Sequence, residues 1–337
     1  MWNLLIRINK NLIAAIPGMM LAGFLAGISL PSALISNLKT LVLPLTFLMV
    51  YPMMVTLNIK HLQAGVKNIK LQIMTQFVNF GVIPFIAYGL GLYFFPDQPY
   101  MALGLLLAAL LPTSGMTISW TGFAQGNMGA AINMTVIGLT LGSIATPFYV
   151  QVLLGAKVAV NFMLIIKQIV IIVFLPMVVG FVTRQWLMRE YGQQHFKESL
   201  GPKFPALSTV GVLGIVFVAI ALKSRTIAAN PAILGSIFVP LCIVYFINFT
   251  LSTLAGKLFF TRGDAIALVY GTVMRNLSIA LAIAINAFGA AGAETALVIA
   301  VSYIIQVQAA AWYVKFTDTV FGPAVASPEP VHLTKKI

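Results

Sequence analysis

The chain has 337 residues, 60% of them hydrophobic and 8% charged, with a net charge of +13. Soluble domains carry roughly 45–50% apolar and about 25% charged residues, so a soluble fold is excluded for want of charges to cover its surface. The basic excess does not point to nucleic acid, because the lysines and arginines sit in short connections between apolar runs, where they report membrane orientation.

A crossing needs about 20 mostly apolar residues. In chain order, ten are predicted: 11–30, 38–57, 71–95, 100–123, 129–154, 160–182, 205–223, 231–256, 264–288 and 293–315. The chain therefore reads as an all-α polytopic membrane protein with ten transmembrane helices. Arg7 and Lys10 precede a run long enough to span, so the start reads as a first span and not as a cleaved leader. Prolines inside the spans, such as Pro17, Pro84 and Pro176, are tolerable in membrane helices.

An even number of spans puts both termini on one side. If that side is the cytoplasm, its segments hold Arg7, Lys10, Lys60, Lys67, Lys70, Arg184, Arg189, Lys197, Lys203, Lys257, Arg262, Lys315, Lys335 and Lys336. The outer segments hold Lys39, Lys157, Lys223 and Arg225. This asymmetry predicts that both termini are cytoplasmic. The longest polar connection, 183–204, follows the sixth span. It separates 1–182, which holds the first repeat and the start of the second, from 205–323, which holds the rest. A tail, 324–337, is expected to be a disordered cytoplasmic end. Two halves of five spans each have opposite orientation, as an inverted repeat requires.

Two spans are interrupted. The fourth is apolar to Leu111 and then reads PTSGMTISWT, with Pro112 removing a backbone donor and Gly115 loosening the chain. Hydroxyls cluster there, among them Thr113, Ser114 and Thr117. The ninth carries Gly271, Thr272, Arg275, Asn276 and Ser278 at its middle, with Gly271 as the candidate break. Interrupted helices at corresponding positions of two repeats point to a transporter binding site, because freed backbone groups and half-helix amino ends can meet a solute. Serine and threonine in membrane helices also bond back to their own backbone or join neighbouring helices, and that structural role stays open for each hydroxyl. Arg275 is harder to place passively. An arginine at mid-membrane costs about 2.5–3.5 kcal/mol even on the mildest scale. It faces either a solute or the backbone carbonyls of a broken helix. Lys167, a few residues into its span, can snorkel to the interface.

No acid sits mid-span, so no buried carboxylate is offered to a coupling cation. The one cysteine, Cys242, and the scattered His61, His195 and His332 form no metal-ligand spacing. No cofactor is expected. With no nucleophile–base pair visible, neither is enzymatic catalysis. GMMLAGFLAG (18–27) allows close helix packing within one chain as easily as between two, so the oligomeric state is open.

MVYPMMVTL (49–57), FVNFGVIPF (77–85), Met116, Trp120 and Gly126–Asn127 in the fourth span, and RNLSIALAIAI (275–285) resemble the superfamily of bile acid:sodium symporters and arsenite permeases, and are most similar to the arsenite-permease branch. The resemblance covers nearly the whole chain. It implies ten helices in two inverted five-helix repeats and a panel domain beside a core domain. It also implies that broken helices four and nine cross, that access alternates, and that the home is a prokaryotic inner membrane. The departures bear on function. Thr113 stands where the permeases carry a cysteine, and Ser278 and Gln306 stand where they carry glutamates. A hydroxyl is a poor substitute for the thiolate that trivalent arsenic prefers. Thr117–Ile118 replaces the Ser–Asn pair of the sodium-coupled branch, and Gly271 and Arg275 replace its Glu and Gln.

The expected function is therefore a secondary transporter of a small anionic or polar solute, without bound sodium. Arg275 would neutralise the solute, and Asn276, Ser278, Thr113, Ser114 and Thr117 would supply hydrogen bonds. Gln76, Asn79 and Gln306 would line the site. Arsenite efflux and a non-transporting membrane sensor are the alternatives.

Overall fold

The computed structural model describes residues 2–56, 68–158, 161–289 and 291–323. The tail 324–337, with His332, Lys335 and Lys336, lies outside the described residues. So do Leu57, at the end of the second predicted span, and Lys60, His61 and Lys67 after it.

Among the described residues the regular structure is helical. In chain order it runs α1 (Trp2–Lys10), α2 (Leu12–Ser29), α3 (Ser32–Asn37), α4 (Val42–Thr56), α5 (Ile69–Phe94), α6 (Pro99–Leu110), α7 (Gly115–Phe123), α8 (Met128–Leu154), α9 (Phe162–Glu190), α10 (Gln193–Ala229), α11 (Ala232–Phe259), α12 (Arg262–Val273), α13 (Leu277–Ala287) and α14 (Gly292–Phe321). Six of these, α5, α8, α9, α10, α11 and α14, are long and apolar enough to cross a membrane, and α1 with α2 would add a seventh as one bent pair. The remaining predicted spans coincide with shorter or broken helices: α4, the pair α6–α7 and the pair α12–α13. Lys167 is exposed on α9, as its shallow position predicts.

Local chemistry sets the ends and bends. Asn68, Asn127 and Asn161 cap α5, α8 and α9, each side-chain oxygen accepting a backbone N–H of the first turn. Phe77–Val82 of α5 and Val170–Phe174 of α9 widen into single π turns just ahead of Pro84 and Pro176. Pro84 has no N–H to give the Phe80 carbonyl. Tyr149 of α8 supplies the donor instead, at 2.6 Å.

The helices pack in two groups. In the first, α10 lies along α2 and α4, and α9 lies along α4. In the second, α14 packs on α6 and α13, α11 on α12, α5 on α6, and α7 and α8 on each other and on α12. The groups meet where α14 touches α10 and α2, and where α13 touches α4 and α9.

The small residues of 18–27 are used inside the chain. A Cβ added at Gly27 would come within 2.2 Å of the Ser224 hydroxyl and 2.4 Å of the Ala221 carbonyl of α10; one at Gly23 would lie 2.6 Å from the Phe217 carbonyl. Gly18 has nothing within 4 Å. Gly27→Leu is therefore expected to destabilise the chain by about 1–3 kcal/mol through overpacking, read as a lower unfolding temperature in detergent. Gly18→Leu is expected to leave that temperature unchanged.

Candidate solute-binding site

Two helices break at the same place. Between α6 and α7 the chain runs Leu111–Ser114, and between α12 and α13 it runs Met274–Asn276. The two extended stretches pair antiparallel at Pro112 and Arg275. The Thr113 N–H donates to the Met274 carbonyl and the Asn276 N–H to the Leu111 carbonyl, both at 2.7 Å. Glycines of α8 make room: a Cβ at Gly138 would meet the Thr113 hydroxyl at 2.7 Å, and one at Gly142 would meet Pro112 Cδ at 2.8 Å.

Breaking a helix strands its last carbonyls. In an unbroken α12 the Gly271 and Thr272 carbonyls would take the N–H groups of Arg275 and Asn276. Here those N–H groups go elsewhere, and two asparagines replace them. Asn79 of α5 donates to the Gly271 carbonyl at 3.0 Å, and Asn248 of α11 donates to the Thr272 carbonyl at 2.9 Å. Gln306 of α14 holds the Arg275 peptide at both ends. Its Oε1 accepts from the Arg275 N–H at 2.8 Å, and its Nε2 donates to the Arg275 carbonyl at 3.2 Å. A side-chain amide offers that pairing of acceptor and donor at one end of the same side chain.

The Arg275 side chain is 3% exposed, and its Nη1 and Nη2 have no protein acceptor. It lines a small chamber with Leu105, Ala108 and Ala109 of α6, Leu241, Val244, Tyr245 and Asn248 of α11, and Ser302 of α14. The chamber has room for about one water molecule. Its lining holds no carboxylate. The other polar groups are already engaged. The Tyr245 hydroxyl donates to Gln306 Oε1 at 3.0 Å and lies 2.9 Å from the Ser302 hydroxyl, while Asn248 accepts from Ser252 at 3.2 Å. The free donors facing the chamber are thus those of Arg275. The carboxyl ends of α6 and α12 converge beside it, and their dipoles offset part of its charge.

The structure redistributes the expected roles. Arg275, Asn276, Thr113, Ser114, Thr117 and Gln306 do gather at the break, but most of the hydrogen bonding expected for a solute is spent on the protein. Thr113 is left-handed at φ 64°, and its hydroxyl turns to the carbonyls of Pro112 (2.6 Å) and Thr135 (3.2 Å). Ser114 and Thr117 cap α7 reciprocally: the Ser114 hydroxyl accepts from the Met116 N–H, and the Thr117 hydroxyl accepts from the Ser114 N–H. Asn276 caps α13 through its oxygen, which leaves its buried Nδ2 without a partner. Ser278 pairs with the Tyr303 hydroxyl. Gln306 is a backbone clamp, not a free wall residue.

Gly115 is the first residue of α7, just past the break. Gly271 is not a break at all. It lies inside α12, where a Cβ would come 2.5 Å from the Met134 sulfur, so its smallness serves packing. On α5, Gln76 has both amide atoms buried and unpartnered, as is the Asn79 oxygen. Gln72 and Asn133 join them with buried, unpartnered oxygens. Tyr245, Asn248 and Ser302 are additions from spans eight and ten. An asparagine in the middle of the apolar run 231–256 is the signal that could have found Asn248.

The chain matches the Sodium Bile acid symporter family over residues 43–230, more than half its length. It belongs to that family. An uncharacterized transporter of Synechocystis is 26% identical over 76% of the chain and 72% of its own length. The arsenical-resistance protein Acr3 of Alkaliphilus metalliredigens is 26% identical over 72% of the chain and 68% of its own length. A sodium/bile acid cotransporter 7-B of Xenopus laevis is 25% identical over 55% of the chain and 54% of its own length. The family and the apolar helices make the chain an integral membrane transporter of this superfamily.

Proposed function

We propose that the chain moves a small anionic or polar solute by alternating access, with Arg275 as a fixed positive charge in place of a bound sodium ion. One observation carries this reading: a fully buried guanidinium at the crossing of two broken helices, both terminal nitrogens free, faces a chamber without a carboxylate. A sodium ion needs oxygen ligands and charge balance, and a neighbouring guanidinium opposes both. The amino ends of α7 and α13 add partial positive charge at the same break. Asn276 Nδ2 and the free amide atoms of Gln76 and Asn79 are the further contacts a solute would use.

The proposal includes ten spans in two inverted five-helix repeats, with 183–204 as a cytoplasmic connection and both termini in the cytoplasm of a prokaryotic inner membrane. The placement of the two breaks in the fourth span of each half supports the repeat. The two packed groups supply bodies that can move against each other. Arsenite permeation draws on the printed names of the Acr3 relatives. It is weakened here because Thr113 turns its hydroxyl to backbone carbonyls.

The test is the unfolding temperature of purified protein against small anions and arsenite, with sodium or potassium as the cation. At about a hundred times its dissociation constant a ligand adds roughly 2.7 kcal/mol. An anion is expected to raise the midpoint equally in both salts, and Arg275→Gln is expected to remove the shift. Stabilisation by arsenite alone, or in sodium alone, would sink the proposal.

A further inference from the structure

The two helix groups are joined across one end by side chains. Lys223, near the end of α10, places Nζ 3.0 Å from Glu294 Oε1 in the first turn of α14. Close by in the topology, Asn286 of α13 donates to the Thr46 hydroxyl of α4 at 3.4 Å. Both contacts run from the second group to the first. Lys223 is only 17% exposed and Glu294 is 37% exposed, so the pair is partly withdrawn from solvent. Glu294 is also favoured where it stands, at the positive amino end of α14. The neighbouring Thr295 donates to the Tyr100 carbonyl, which ties that end of α14 to α6.

The opposite end is wired differently. Asp264, in the first turn of α12, accepts from Asn68 at 2.6 Å and from Asn127 at 2.7 Å. Arg262 pairs with Asp318 and donates to the carbonyls of Gln125 and Gly322. All of these join parts of the second group. Arg184 donates to the Thr56 carbonyl within the first group. Among the described residues these contacts tie parts within each group, and none of them crosses from one group to the other.

We propose that the Lys223–Glu294 pair is a latch that holds the outer end of the transporter shut, so that the groups part there only when it breaks. The latch rests on the alternating-access reading above, and it does not depend on which solute is carried. Ala219 lies one turn inward of Lys223 on α10 and is fully buried. Its i−4 spacing puts it on the face of α10 that carries Lys223, so a thiol placed there is expected to meet solvent when the groups part at that end.

The test is the maleimide labelling rate of an Ala219→Cys chain in lipid nanodiscs, with Cys242→Ser to remove the native thiol. Lys223→Ala or Glu294→Ala is expected to raise the rate about two- to fivefold, the range for losing one partly exposed ion pair. The charge swap Lys223→Glu with Glu294→Lys is expected to bring it back toward the parent rate, short of it because a lysine is disfavoured at the amino end of α14. Unchanged labelling in the single variants overturns the latch. So does a swap that labels as fast as they do, because the change would then reflect loosened packing. The same variants are read for anion stabilisation. If they keep it while labelling stays flat, the latch fails alone; if both are missing, the transport reading fails with it.

Discussion

An Arg275→Met chain is expected to unfold at a higher temperature than the parent and to lose all response to anions. The two effects have opposite signs for one reason. A guanidinium that is 3% exposed, with Nη1 and Nη2 unpartnered, has given up water without gaining acceptors. Replacing even a buried ion pair by apolar side chains of similar volume is often neutral or stabilising by about 1–4 kcal/mol, and Arg275 has no acid in its chamber to offset its desolvation. The carboxyl ends of α6 and α12 offset part of the charge, each by at most about half an elementary charge and against the opposite partial charge of the amino ends of α7 and α13. The expected gain is therefore in the lower half of that range, about 1–2 kcal/mol. A stabilising substitution that removes function marks a residue kept for its activity and not for the fold. The measurement is thermal unfolding in one detergent, with and without the stabilising anion. A fall in midpoint would mean that Arg275 is a structural cation held by the broken helix ends.

Much of the architecture is legible in the sequence because the bilayer constrains it so strongly. Apolar length marks the helices that stand alone, such as α5, α11 and α14, since every crossing must satisfy its own backbone. Pro112 locates the first break within a residue, because a missing N–H acts locally. The second break carries no proline. Gly271 is the visible flexible residue, yet the chain stays helical through it and opens at Met274. What decides the position is distant: Gln306 claims the Arg275 N–H, and Leu111 claims that of Asn276. Partners thirty and more residues away leave no trace in a local pattern.

The hydroxyls illustrate the same limit. Thr113, Ser114 and Thr117 are legible as a polar cluster at a break. Whether such groups meet a solute or cap a helix depends on backbone geometry, and here the left-handed turn at Thr113 directs them to the protein. A charged side chain is different. Arg275 has more donors than the backbone around it engages, so its isolation survives into the structure.

Gln306→Leu is expected to be among the most destabilising single changes in the chain, at about 2–5 kcal/mol. Its amide is the sole side-chain partner of the Arg275 N–H and carbonyl among the described residues, and it also accepts from the Tyr245 hydroxyl. Leucine would leave two buried backbone groups without their partners, each at about 1–3 kcal/mol, while the Tyr245 hydroxyl keeps its contact with Ser302. Some of that is recovered if the break closes toward helix, which limits the total. The combination with Arg275→Met separates two roles for Gln306. The glutamine touches the peptide of residue 275 and not its guanidinium, so the same backbone bonds are made when methionine stands there. The effects of the two substitutions should then add to within about 0.5 kcal/mol. A coupling of 1 kcal/mol or more would mean that Gln306 acts on the charge itself. It would then belong to the solute's surroundings and not to the frame that holds the break open.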